Sequence, residues 1–150
     1  MNFFLGYLLL MIVSCSSQFA ESSGQKEGQE LMFEDRHHYR FSLTDKPFLV
    51  IGSQQKMDDV FRLIHSRNSS SKMSPIPTVL ENETYLIIKP VLKSTNDIEI
   101  QKLEMKNSIL YIDVKPFDDP QIQRGLRQTP NVLIRVFERI SVKDIKINYN

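Results

Sequence analysis

His37 and His38 follow Asp35 closely in the sequence, and imidazole beside carboxylate can serve metal ligation or general acid–base work. Neighbouring residues on a strand point to opposite faces, so these two histidines are not expected to hold one metal. The plainer reading is a polar entry into a strand. His65 follows an apolar helical stripe, where a histidine is favourably placed against the negative end of the helix dipole. Asp118 and Asp119 stand side by side before Pro120. Two carboxylates divide acid and base roles only when their environments differ, so adjacent acids in one loop are expected to be solvated or turn-forming. Arg124, Arg127 and Gln128 share that loop and suit an acidic partner or a carboxylate, with a solvated loop as the plainer reading. The sequence has no nucleophile elbow, Walker loop, zinc-helix motif or dinucleotide fingerprint. No catalytic residue, metal ligand or cofactor is assigned, and the chain is expected not to be an enzyme.

The one cysteine, Cys15, closes an apolar block at the start of the 150-residue chain. Met1 to Ser14 carries no charged side chain, and eleven of its fourteen positions are Met, Phe, Leu, Tyr, Ile or Val. Phe3 to Val13 is too short to span a hydrocarbon core, which needs about 20 residues, and suits the apolar region of an export signal. Ile12-Val13-Ser14-Cys15 resembles the lipobox of bacterial lipoproteins. In a lipobox the thiol accepts a diacylglycerol and the peptidase cuts just before it. Residues 1–14 therefore read as a signal peptide and Cys15 as the lipidation site. Ser16 resembles the residue that directs such proteins to the outer membrane of a Gram-negative cell. Small secreted domains carry their cysteines in pairs, which favours this reading over a secretory signal cut after Ala20.

The elements that would position any site follow a tether. Ser16 to Glu34 is rich in Ser, Gln, Glu and Gly and has no β-branched residue. Such a segment buries too little apolar surface to offset its ordering entropy. Residues 15–34 are expected to be a lipidated cysteine and flexible tether with a reach of about 24 Å. Leu31, Met32 and Phe33 are apolar exceptions that suit the start of the fold. Residues 35–150 are expected to form one domain.

Tyr39, Phe41 and Leu43 alternate with Arg40, Ser42 and Thr44, the pattern of a half-buried strand. Phe48-Leu49-Val50-Ile51 is fully apolar and reads as a central strand. Ser53 suits a helix N-cap, and Met57, Val60, Phe61 and Ile64 form one apolar stripe, so the helix should stop by Asn68. Strands are expected at 84–88, 97–106, from Leu110 to Val114, from Val132 to Val136 and around Ile145 and Ile147. Ile98 and Ile100 are out of phase with Leu103 and Met105, which predicts a β-bulge near Gln101 or Lys102. Lys106-Asn107-Ser108 predicts a tight reversal, and Phe117 to Pro130 a long loop. The expected class is α+β, a mostly antiparallel sheet or small sandwich with one amphipathic helix.

The order of these elements resembles a known family. Lys46 to Phe61 gives an apolar strand, a Ser-Gln start and an amphipathic helix. Pro75-Ile76-Pro77 and the strand from Glu81 to Val91 follow, then Ile98 to Lys115, then Thr129-Pro130 and Val132 to Val136. This looks like the C-terminal domain of the protease-complex subunit PrcB family, found in bacterial secreted and lipoprotein chains. Where that family has a Gly-rich turn with an aromatic residue, Ser94-Thr95-Asn96-Asp97 stands here. The resemblance implies a non-catalytic accessory domain, associated in some members of the family with an extracellular protease complex.

Nineteen basic and eighteen acidic residues leave a formal charge of +1, which gives no reason to expect a nucleic-acid partner. The expected function is a membrane-anchored accessory or binding module for another exported protein, a protease among the candidates. Its location would be the bacterial cell envelope, held by lipid on Cys15. Phe117, Arg124 and Arg127 are the expected contact residues, being types that interfaces enrich. Two alternatives stand beside it. Asn68-Ser69-Ser70 and Asn82-Glu83-Thr84 match the glycosylation acceptor pattern and would suit a secreted eukaryotic glycoprotein. A small hydrolase or lyase would need a concave site joining His65 or His38 to a carboxylate.

Overall fold

The computed structural model describes residues 28–67, 74–122 and 129–150. Eight strands and one helix follow in the order β1 (Gln29–Glu30), β2 (Phe33–Tyr39), β3 (Phe48–Ile51), α1 (Gln54–Arg67), β4 (Thr84–Ile88), β5 (Asp97–Lys106), β6 (Ile109–Phe117), β7 (Asn131–Val136) and β8 (Asp144–Tyr149). The strands make two four-stranded sheets, ordered β1-β5-β6-β8 and β2-β7-β4-β3. The sheets pack face to face and α1 covers the outer face of the second, giving a three-layer α+β sandwich.

Alternation explains the first core. Leu86, Ile88, Val132, Ile134 and Val136 of one sheet meet Ile98, Ile100, Leu103, Leu110, Ile112 and Val114 of the other. The intervening residues of the second sheet feed a separate core under the helix. Ile51, Tyr85, Ile87 and Leu133 pack there against Met57, Val60, Phe61 and Ile64, the stripe expected from the sequence. Strand β4 is therefore buried along its whole length, since each face meets a layer. The helix runs over the expected span, with Ser53 Oγ accepting from Lys56 N at 3.4 Å.

The reversal at Asn107 and Ser108 has φ of 54° and 63°, the signature of a type I′ hairpin turn. The bulge in β5 falls between Ile100 and Lys102, where expected, and returns Leu103 to the face of Ile100.

Three expectations need correction. The strand read from Tyr39 to Leu43 instead occupies Phe33–Tyr39. Phe41 and Leu43 are apolar because they pack with the core under the helix, not because a ladder runs through them. Gln29–Glu30 and Phe33 with Glu34, expected in the tether, form β1 and the start of β2. The run Phe48–Ile51 is an edge strand, not a central one. It is apolar throughout because Phe48 and Val50 face the layer between the sheets while Leu49 faces the helix layer. Strand β8 pairs with β6 in parallel, while the other strand pairs among the described residues are antiparallel, in keeping with the expected mostly antiparallel class.

Candidate functional site

The end of the sandwich where β2 finishes and β5 begins carries the densest polar chemistry among the described residues. Asp97, only 5% exposed, opens β5. His38 Nδ1 lies 2.5 Å from Asp97 Oδ1, and His38 Nε2 lies 2.9 Å from Asp35 Oδ2. Arg40 donates from Nη2 to Asp97 Oδ2 at 2.5 Å and from Nη1 to the Asn96 carbonyl at 2.6 Å. The backbone N–H of Ile98 donates to Asp97 Oδ1 at 2.8 Å.

A break in the ladder brings Asp35 and His38 together. The pairing of β2 with β7 shifts between Asp35 and His37. In a regular strand residues three apart point to opposite faces. The extra residue, Arg36, puts both on the face that looks toward the other sheet. His37 turns the other way, its ring 4.3 Å from that of Tyr39, so the two histidines do take opposite faces.

Burial disfavours the His38 imidazolium, but hydrogen bonds and charge from Asp35 and Asp97 outweigh it and push the pKa up to about 9. Burial also raises Asp97, but His38, the Ile98 N–H and Arg40 outweigh it and hold that carboxyl below its ordinary value. Burial and the neighbouring His38 charge lower His37. Both nitrogens of His38 are committed to carboxylates in its charged form. A general base needs a free ring nitrogen and a pKa near the working pH. The cluster therefore acts as a clasp joining the two sheets.

The clasp fixes the loop between β4 and β5, and that loop forms one wall of a groove. Asn96 is stapled to the loop after β6, donating from Nδ2 to the Asp119 carbonyl at 3.0 Å and accepting from Asp119 N at 2.7 Å. Val91 N donates to Tyr149 Oη at 2.7 Å. Between these points the segment from Val91 to Thr95, which includes Lys93 and Ser94, lines a groove of about 450 Å³ with Pro116 and Tyr149. It is open, with Val91 74% and Tyr149 44% exposed on its apolar side and Lys93, Ser94 and Thr95 on its polar side.

Of the expected site residues, Phe117 is exposed at the end of β6, next in sequence to Pro116 but not among the residues that line the groove. Cys15, Arg124, Arg127 and Gln128 lie outside the described residues, as do the lipobox and the Asn68 sequon. Asp119 is turn-forming, its Oδ1 accepting from Gln121 N at 2.9 Å. His65 sits in the last turn of α1, bonded to the Ser74 carbonyl at 2.9 Å and edge-on to Phe61, with no carboxylate partner among the described residues. His38 does meet carboxylates, but in the saturated arrangement above. Among the described residues no group of three or more His, Cys, Asp or Glu is disposed to hold a metal ion. Sequence reasoning missed Arg40 and Asp97, and it missed Val91 and Tyr149 as groove walls. An arginine two residues after a histidine was the only local signal.

At the other end of the second sheet, Arg135 pairs with the buried carboxylate of Glu83 and lies 3.5 Å from Glu34. Its guanidinium rests 4.8 Å from the centre of the Phe137 ring.

Comparison of the chain with family models, with curated proteins and with solved structures gives no match.

Proposed function

We propose that this chain is a non-catalytic accessory module that binds another exported protein at the groove between Val91, Pro116 and Tyr149. The observation that carries the reading is the groove itself, an open apolar cleft whose wall is held by the Asp97 clasp. In the sequence Phe117 follows the groove residue Pro116, and Arg124 and Arg127 come later in the same connection. Apolar and aromatic anchors such as Val91 and Tyr149 suit a protein surface more than a small polar substrate. The resemblance to the PrcB C-terminal domain supports a protease complex as the partner. The lipobox-like Ile12-Val13-Ser14-Cys15 supports a lipid anchor at the bacterial cell envelope.

The test is crosslinking of the native protein in its own membrane through a photoreactive residue at position 91, followed by mass spectrometry. One exported protein recovered in near-equal amount is the expected result. Val91→Glu, and separately Arg124→Ala with Arg127→Ala, should weaken that capture while leaving the fold intact. Capture at wild-type strength by these variants, or recovery of nothing specific, overturns the reading. The same digest reports the mass of the Cys15 peptide. A diacylated peptide supports the anchor, and an unmodified one with a glycan on Asn82, which is exposed, supports the eukaryotic glycoprotein instead.

A further inference from the structure

The two sheets expose unequal edges. Strand β2 carries Glu34, Asp35, Arg36, His37 and His38 and a bulge. The outer side of β5 has the Gln101 bulge, with Glu99 and Lys102 around it, and is covered in part by β1. Strand β8 alternates Asp144, Lys146 and Asn148 with its apolar residues. Charge and bulges of this kind are what keep an edge from recruiting another strand. Strand β3 has neither: Phe48-Leu49-Val50-Ile51 pairs with β4 in unbroken register and carries no charge.

Its unused hydrogen-bonding groups can be assigned. Lys89 N donates to the Pro47 carbonyl at 3.1 Å, which makes Pro47 a hydrogen-bonded position facing β4. In an antiparallel ladder such positions alternate, so Leu49 and Ile51 also face β4. The N–H and C=O of Phe48 and Val50 then point to the open side. Along that side runs a groove of about 330 Å³, lined by Lys46, Pro47, Phe48, Leu49, Val50 and Lys56. No carboxylate lines it. Among the described residues neither the Lys46 nor the Lys56 ammonium has a partner.

We infer that the open edge of β3 is a strand-addition site for an extended acidic peptide segment. The backbone of such a segment would bond Phe48 and Val50, completing a fifth strand of the second sheet. Its side chains would alternate between the two layers that β3 already separates. Those turned to the helix side would meet Lys56 of α1, and one end would meet Lys46. An alternation of acidic and apolar residues fits this edge, and a basic segment is repelled. The site uses none of the groove residues at Val91 and Tyr149, so it stands or falls apart from the function proposed above.

The experiment titrates the full chain with a short synthetic peptide of alternating glutamate and valine, and with its lysine–valine counterpart. Amide hydrogen exchange is followed at Phe48 and Val50. The acidic peptide should slow exchange at both amides, and the basic one should not. Lys46→Glu with Lys56→Glu alters only exposed side chains and should weaken the acidic peptide by about tenfold. Val50→Pro removes an outward N–H and should abolish addition, since proline is tolerated on an edge at that kind of position. If Val50→Pro does not fold, the double lysine variant still decides. Equal binding of the two peptides, or no protection at Phe48 and Val50, overturns the inference. So does protection that rises with protein concentration in the absence of peptide, which would make a second copy the occupant.

Discussion

His38 Nδ1 lies 2.5 Å from Oδ1 of Asp97, a residue fifty-nine positions further along the chain. The contact spans the two sheets at the corner where the chain, having left β5 at Leu31, has run the length of β2 beside β7. Arg40 extends the same contact to the Asn96 carbonyl and so to the wall of the groove. One hydrogen bond thus links the charge cluster to Asn96, the residue that follows the groove-lining Thr95.

His38→Ala should lower unfolding stability by about 2–3 kcal/mol, because it leaves the buried Asp97 carboxylate short of one cation. Urea denaturation of the variant measures this. A loss under about half a kcal/mol would show that the clasp is incidental to the fold.

The pH profile should carry the same signature. The folded-state pKa of His38, about 9, lies above its ordinary value of 6.5. Its contribution is therefore whole below pH 6.5 and is lost as pH climbs through about 9. Asp97 acts in the opposite sense, its contribution being present above 3.8 and lost as pH falls through its lowered folded value. His37, also lowered, opposes protonation of the fold below 6.5. Stability should decline between pH 6.5 and 9 in the wild type and stay flatter in His38→Gln. Parallel profiles for the two proteins would remove His38 as the source.

Ser108→Gly should stabilise the protein by roughly 0.5–1 kcal/mol. Ser108 sits at φ 63°, a region costly for a residue with a Cβ, and Asn-Gly is the favoured pair for this turn. The Ser108 carbonyl still accepts from Lys143 N. A lower thermal midpoint in the variant contradicts this account of the turn.

Asn131→Ala should cost about 1–3 kcal/mol without changing the fold. Asn131 is buried, and its Oδ1 accepts the backbone N–H of Leu43 at 2.9 Å, which the variant leaves unbonded. Asn131→Asp retains the acceptor and should restore part of the loss if the bond is the cause.

Local patterns were legible wherever one layer buried one face. The stripe from Met57 to Ile64, the phase break at Gln101 and the Asn107–Ser108 reversal each declare themselves within a few residues. Two things were hidden. Strand β2 is defined by its ladder to β7 and carries charge on an edge, so it has little apolar alternation to read. The meeting of His38 with Asp97 depends on two sheets facing each other, and nothing near either residue encodes that. Phe48–Ile51 misled because burial between three layers and burial at the centre of a sheet leave the same apolar run.

The pairing scheme also governs when the chain can fold. Phe33 waits for Val136, made about a hundred residues later, Gln29 for Met105, and Ile109 for Asp144. A nascent chain holding only β1 to α1 has neither of the strands that flank β2 and β3. Closure is therefore a late, concerted and comparatively slow event, set by long-range strand encounters and not by hairpins. Were the chain exported as proposed above, that delay would keep the polypeptide threadable while it crosses a membrane.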